Sequence, residues 1–310
     1  MTSEITRPET DVSPESPPED QTDTAAVRLE SSLAPQQAPH SADVDTAPPA
    51  ASDGPSFVYA IGRIEPQFPS LSSEKEFAQV AGVSNTVGLT DPEVLQRVLS
   101  DPANRYLARQ MAWVLVIESM ETYLLVPRDP ADIERLIESV RPAPKRDDVD
   151  VVVGVRGPLA PPELARGLVV PIVYFDQIYS FDTDSLIRSI PRDAGNLPDK
   201  FDDAARSLFE RMVLVGDNAG GTDAHRALNY LVLRYPLIYA RSAEQIALNS
   251  NLVSVDVHSS SLGNGVRRVV DVVFNFTNRA TDVTESFFVR VDVTEEFPFL
   301  VTKLSPYIRR

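Results

Sequence analysis

Apolar and polar positions along this chain follow two regimes that meet near residue 196. In the first, short apolar runs at Phe57 to Ile61, Trp113 to Ile117, Tyr123 to Val126, Val151 to Val155 and Leu168 to Phe175 read as strands. Between them the spacing turns helical. Ser72 to Ala81 has helical character, and Thr90-Asp-Pro-Glu93 has the form of a capping box with proline in the first turn. Asp101-Pro102, Asp129-Pro130 and Pro161-Pro162-Glu163 open further short helices. After Asp129, residues Ile133, Leu136, Ile137 and Val140 fall at i, i+3, i+4 and i+7 and mark one apolar face. The valine run from Val151 has no polar alternation, so it predicts a strand buried on both sides. Strands alternating with helices at this spacing indicate an α/β layer with a mixed sheet.

In the second regime, Phe201 to Val215 and Asp223 to Asn249 read as helices, the latter kinked at Pro236, which has no N–H for the Val232 carbonyl. Three strands follow, at Leu252 to His258, Val266 to Thr277 and Phe287 to Thr294. Val253, Val255 and Val257 alternate with Ser254, Asp256 and His258, as in a sheet with one wet face, and Gly263-Asn264-Gly265 supplies a turn. The expected fold is therefore mixed α+β and α/β. An N-terminal segment 1–56 leads into an α/β half, 57–195, and then a helical pair on a three-stranded antiparallel sheet, 196–310.

Composition separates that first segment from the rest. Residues 1–56 hold nine prolines and eleven acids against two arginines, a net −9 of the chain's −16, and no aromatic residue. Such a stretch buries too little apolar surface to offset its ordering entropy, so a disordered acidic tail is expected. The remaining 254 residues carry −7 and offer no basic stripe, which argues against nucleic-acid binding. The absence of cysteine excludes disulfides, thiolate metal sites and cysteine nucleophiles. No apolar run approaches the ~20 residues of a membrane span. The polar start Met1-Thr-Ser-Glu-Ile-Thr6 has no leader character, so a cytoplasmic location is expected.

Three blocks carry a family resemblance. They are Phe57-Val-Tyr-Ala-Ile-Gly-Arg-Ile-Glu-Pro-Gln-Phe-Pro-Ser-Leu71, Asp223-Ala-His-Arg-Ala-Leu-Asn-Tyr-Leu-Val-Leu-Arg-Tyr-Pro-Leu-Ile-Tyr-Ala240, and Val289-Arg-Val-Asp-Val-Thr-Glu-Glu-Phe-Pro-Phe-Leu-Val-Thr-Lys-Leu-Ser-Pro-Tyr307. Together they resemble the C-terminal, non-protease region of the cyanobactin maturation protease PatG family, a region without an assigned role. The resemblance implies an association with ribosomal peptide natural-product maturation and a peptide or protease partner. It does not carry proteolysis or macrocyclisation with it. The subtilisin-like domain of that family needs a His-Gly-Thr and a Gly-Thr-Ser setting, and neither occurs here.

Candidate chemistry concentrates at one helix start. His225, Arg226 and Asn229 lie three and four residues apart, beside Asp223, and could meet one ligand. Gly216 to Gly221 ahead of them is a flexible approach to a helix N-terminus, where orphan amides can hold an anion. The plainer explanation is that Thr222 or Asp223 caps the helix, Arg226 pairs with an acid and Asn229 satisfies a loop. Of the three histidines, His40 lies in the acidic segment and His258 on a strand, so no metal site or catalytic triad is indicated and no cofactor is expected. Asp176, Asp182 and Asp184 could form an all-oxygen cluster, with helix capping by Asp182 or Asp184 the simpler role. Glu65 near Arg63 reads as exposed loop charge rather than a general acid or base. Tyr230, Tyr235, Tyr239, Phe297 and Phe299 read as core packing, and the long second-half strands as ordinary sheet with an edge open to β-pairing. The reading that follows is a non-catalytic recognition module for a peptide or protein. A small-substrate enzyme around His225, or a homo-oligomeric scaffold, remains the alternative.

Overall fold

Strand β1 (Phe57–Gln67) organises the first half because it serves a different neighbour on each edge. Its residues Phe57 to Gly62 pair with β4 (Asp148–Leu159), and Arg63 to Gln67 pair with β2 (Ala112–Ile117). With β3 (Met120–Pro127) and β5 (Pro171–Asp182), the five strands close into a barrel in the order β1-β2-β3-β5-β4. The computed structural model describes residues 56–83, 88–190, 201–215, 217–264 and 266–308. The acidic segment expected at 1–56 thus falls, apart from Ser56, outside the described residues, as does the expected change of pattern at 196.

All five strands expected in this half are present, and the sheet is mixed: β3 and β5 run parallel while every other pair is antiparallel. Closure was not evident from the pattern. Within the closed sheet, the β4–β5 register shifts between Val153 and Gly154, as at a β-bulge. A Cβ on Gly154 would sit 2.4 Å from the Tyr174 carbonyl oxygen, so only glycine permits this approach.

The valine run is buried on both faces, as its pattern predicts. Val152 joins the barrel interior with Val58, Leu115 and Phe175, while Val151 and Val153 pack outward with Tyr59. Helices α1 (Leu71–Val83), α2 (Asp91–Ser100), α3 (Arg105–Gln110) and α4 (Ile133–Ser139) extend the interior core through Ala81, Leu99, Leu107 and Leu136. Proline and its neighbours set several helix starts. The Glu93 carboxylate accepts the Thr90 N–H at 2.8 Å, and the Asp101 and Asp129 side chains accept Ala103 and Ala131 N–H groups.

In the second half, α6 (Phe201–Val215), α7 (Asp223–Arg234) and α8 (Leu237–Ala247) cover one face of an antiparallel sheet. That sheet contains β6 (Ser250–Ser259), β7 (Val269–Asn278) and β8 (Thr284–Asp292), the three expected strands, and β8 also pairs with the two-residue strands β9 (Phe299–Leu300) and β10 (Ser305–Pro306). Pro236 acts more strongly than a kink. The expected single helix from 223 to 249 is two helices, α7 ending at Arg234 and α8 starting at Leu237, because proline supplies no donor to the preceding turn. Between the halves, α5 (Thr183–Ser189) is capped by Asp182, whose carboxylate accepts the Ser185 N–H at 2.7 Å.

Candidate functional site

The polar cluster at the start of α7 is built into the seam between barrel and sheet. Thr222 is the cap: its hydroxyl accepts the His225 N–H at 3.2 Å. Arg226 is 1% exposed and donates to the carbonyls of Val293 (2.8 Å), Glu295 and Glu296 (3.1 Å), beneath the Phe57 ring. Burial pulls its guanidinium pKa down to about 10, opposed by Asp223, so it remains charged at neutral pH. Asp223 lies 3.5 Å from Arg226 and 3.0 Å from Arg268, and burial raises its carboxyl pKa against both cations. Asn229 faces the other way and donates to the Tyr59 carbonyl of β1 at 2.8 Å. His225 Nδ1 stands 3.4 Å from an Asp217 oxygen without hydrogen-bond geometry. The structure therefore pairs Asp223 with Arg226 but directs Arg226, Asn229 and His225 to three different elements.

The glycine-rich approach to α7 is engaged as well. The Tyr59 and Ile61 N–H groups donate to the Gly220 and Asn218 carbonyls at 3.2 and 2.8 Å, so this loop continues the sheet along the edge of β1 that β2 leaves. Gly220 has φ +58°, and a Cβ there would lie 2.0 Å from the Tyr59 oxygen. The amides of Ala219 and Gly220 are already satisfied by Asp217.

A carboxylate pair lies on the same seam, and sequence reasoning missed it. Arg128 holds Asp176 at 2.6 Å and Glu296 at 3.4 Å. Burial and the adjacent Asp176 push the Glu296 carboxyl up to about 7, against the pull of Arg128 and Arg226. The only sequence signal was the charged Glu295-Glu296 step before Phe297-Pro298-Phe299. Asp176 is thereby separated from the oxygen cluster expected with Asp182 and Asp184. Asp147 takes its place, within 4.8 Å of both. In that trio Asp182 caps α5 and Asp184 pairs with Arg206. Tyr235 and Tyr239 are core residues with bonded hydroxyls, whereas Phe297 and Phe299 are 42% and 47% exposed rather than packed inside.

Residues 197–307 match the family model of the PatG C-terminal region. This stretch is a PatG C-terminal-like region. A solved structure described as "PatG Domain of Unknown Function" has the same fold, with a TM-score of 0.66 at 20% identity over 82% of this chain and 99% of that one. No curated protein matches the chain. Within the PatG-like region lie α7, with Arg226 and Asn229, and the Glu296 loop; the bonds from these residues to Tyr59 and Arg128 reach outside it.

A separate cavity of about 770 Å³ lies outside residues 197–307, between the end of β1, α1, α2 and residues 139–148. Its floor is apolar, with Ile64, Phe77, Ala81, Val94, Leu95 and Val140. Phe68 and Phe77 form an aromatic wall, ring centroids 5.2 Å apart. Arg63 and Glu65, expected as loop charges, instead stand at its rim on β1. At its far end Arg141 reaches the fully buried Asp150 at 2.9 Å, and Asp150 also accepts the Ile64 N–H at 2.8 Å. A groove of this size, apolar with a few charged groups at its margin, can take a small molecule or a short stretch of peptide.

Proposed function

We propose that this protein is a recognition module that holds a peptide segment of a partner in the groove between β1, α1 and α2. The observation that carries this reading is the half-exposed apolar lining of that groove, in which Phe68, Phe77, Val94 and Leu95 remain open to solvent. Apolar side chains left accessible in a concave site are the usual mark of a binding surface. The PatG-like region serves in this account as the support that braces the barrel through the Asn229 bond to Tyr59 and the Glu296 pair with Arg128. The enzyme reading around His225 is less favoured, since the two terminal nitrogens of Arg226 and the amide nitrogen of Asn229 already donate to backbone carbonyls. The resemblance to PatG suggests a partner in ribosomal peptide natural-product maturation, either a precursor peptide or its protease.

The test is retention of partner chains by tagged full-length protein in its own cells, read by mass spectrometry for the wild type, Ala78→Phe and His225→Ala. Ala78 lines the groove yet is exposed, so a phenyl ring there obstructs the site without entering the core. The expected result is a co-purifying chain lost in Ala78→Phe and retained in His225→Ala. Loss in His225→Ala alone would reverse the assignment of the site.

A further inference from the structure

The groove's dimensions and charges narrow its ligand further. Along α1, Glu74, Phe77, Ala78, Ala81 and Gly82 fall at i, i+3, i+4, i+7 and i+8, one face of two turns. At 1.5 Å per residue that face is roughly 12 Å long, the span of three or four residues of extended chain. Ala78, Ala81 and Gly82 create the depth, and a Cβ on Gly82 would meet nothing within 4 Å.

The opposite wall does not offer strand pairing. Pro66 has no N–H, and the Ile64 N–H is held by Asp150, so this edge has no backbone donor for a regular ladder and recognition of an incoming chain rests mainly on its side chains. Charge then decides which side chains. Glu65, Glu74 and Asp91 are exposed at the rim and form no ion pair among the described residues. Among the described residues, Arg63 is the one rim cation with the same freedom, because Arg141 is taken up by Asp148 and Asp150. Three free carboxylates against one guanidinium give the mouth a negative potential over an apolar floor.

We infer that the groove binds an extended peptide segment in which a bulky apolar side chain is flanked by lysine or arginine; this rests on the peptide-recognition reading above. The apolar side chain sits over Val94, Leu95 and the Phe68–Phe77 wall, and the cation lies among Glu65, Glu74 and Asp91. Recognition is dominated by apolar burial, while each solvent-facing charge pair contributes about a two- to fivefold factor in affinity. Such pairs are screened by salt, so selectivity for basic segments weakens as ionic strength rises.

The experiment is selection of a random hexapeptide library on full-length wild-type protein at low salt, followed by affinity measurement of the selected peptides. Three proteins are compared: wild type, Ala78→Phe, and the triple variant Glu65→Gln, Glu74→Gln, Asp91→Asn. The triple variant changes only exposed rim groups, so its fold is expected to persist, and a thermal melt checks both variants. The expected peptides combine Leu, Ile, Met or Phe with an adjacent Lys or Arg. They should bind at least tenfold more weakly to Ala78→Phe and roughly tenfold more weakly to the triple variant. Neutral or acidic peptides that are blocked by Ala78→Phe but indifferent to the triple variant would overturn the charge inference and leave the groove reading standing. Absence of any peptide sensitive to Ala78→Phe would overturn both.

Discussion

At the residue scale, the polar groups most visible in the sequence work as fasteners, and a carboxyl with a strongly raised proton affinity is one the sequence concealed. Glu296 faces Asp176 and Arg128, with Arg226 behind it, and its carboxyl is raised from 4.5 to about 7, burial being the main cause. Because the folded state binds this proton more tightly than the unfolded chain, the stability it contributes is full below about pH 4.5. That contribution is lost as pH rises through 7. Glu296→Gln keeps the shape and can still donate to Asp176 and accept from Arg128, without becoming charged. Thermal melts across pH 5 to 8.5 should show the variant gaining on wild type with rising pH, by about 1 kcal/mol or more at the alkaline end. Parallel profiles would mean that Glu296 is ionised throughout. Asp223, also raised by burial, contributes equally to both proteins and cancels in the comparison. The Thr222 cap and the acid partner of Arg226 were legible because both lie within four positions of the residue concerned. The carbonyls of Val293 and Glu296 were not, since they lie 67 and 70 residues further along the chain.

At the element scale, strands and helix starts were readable because each follows from local spacing and capping chemistry. Barrel closure was not. An open mixed sheet and a closed one show the same alternation along each strand, and what distinguishes them here is a pairing shared by one strand. β1 gives six residues to β4 and five to β2. Pro236 shows a milder form of the same limit: the lost donor was evident, but whether the chain bends or breaks depends on what packs around it. Closure places a steric demand at Gly154, where an added methyl group meets the Tyr174 carbonyl at 2.4 Å and the Phe175 Cα at 2.7 Å. Both obstacles are backbone, so no side chain can rotate away. Gly154→Ala should therefore cost about 2–3 kcal/mol in urea unfolding, the scale of an overpacked core site. The same change at Gly82, with nothing within 4 Å, should stabilise α1 slightly through helix propensity. Equal effects at the two glycines would indicate that the β4–β5 bulge adjusts to a side chain.

At the scale of the whole molecule, the match to the PatG C-terminal family covers 197–307, yet the structure does not stop at that boundary. Tyr230 and Leu233 of α7 pack on Tyr59, Val151 and Val153 of the barrel, and Tyr230 meets the Tyr59 ring edge-on at 6.3 Å. Around that apolar contact, Asn229 binds the Tyr59 carbonyl, the 218–220 loop extends β1, and Arg128 reaches Glu296. Cutting the chain between 190 and 197 would expose the aromatic and valine faces on both sides. It would also leave Asn229 and the β1 backbone without their buried partners, a cost of about 1–3 kcal/mol for each unsatisfied group. Fragments 56–190 and 197–310, made separately, should consequently lack the sharp near-ultraviolet circular dichroism and dispersed amide resonances of a packed protein. Produced together, they should recover both signals as a complex. If fragment 197–310 alone gave a dispersed spectrum and a cooperative melt, the PatG-like region would be an autonomous domain and the seam a docking contact. Recovery only on mixing would instead make the seam part of a single core. The barrel that carries the groove would then depend on the PatG-like region for its fold.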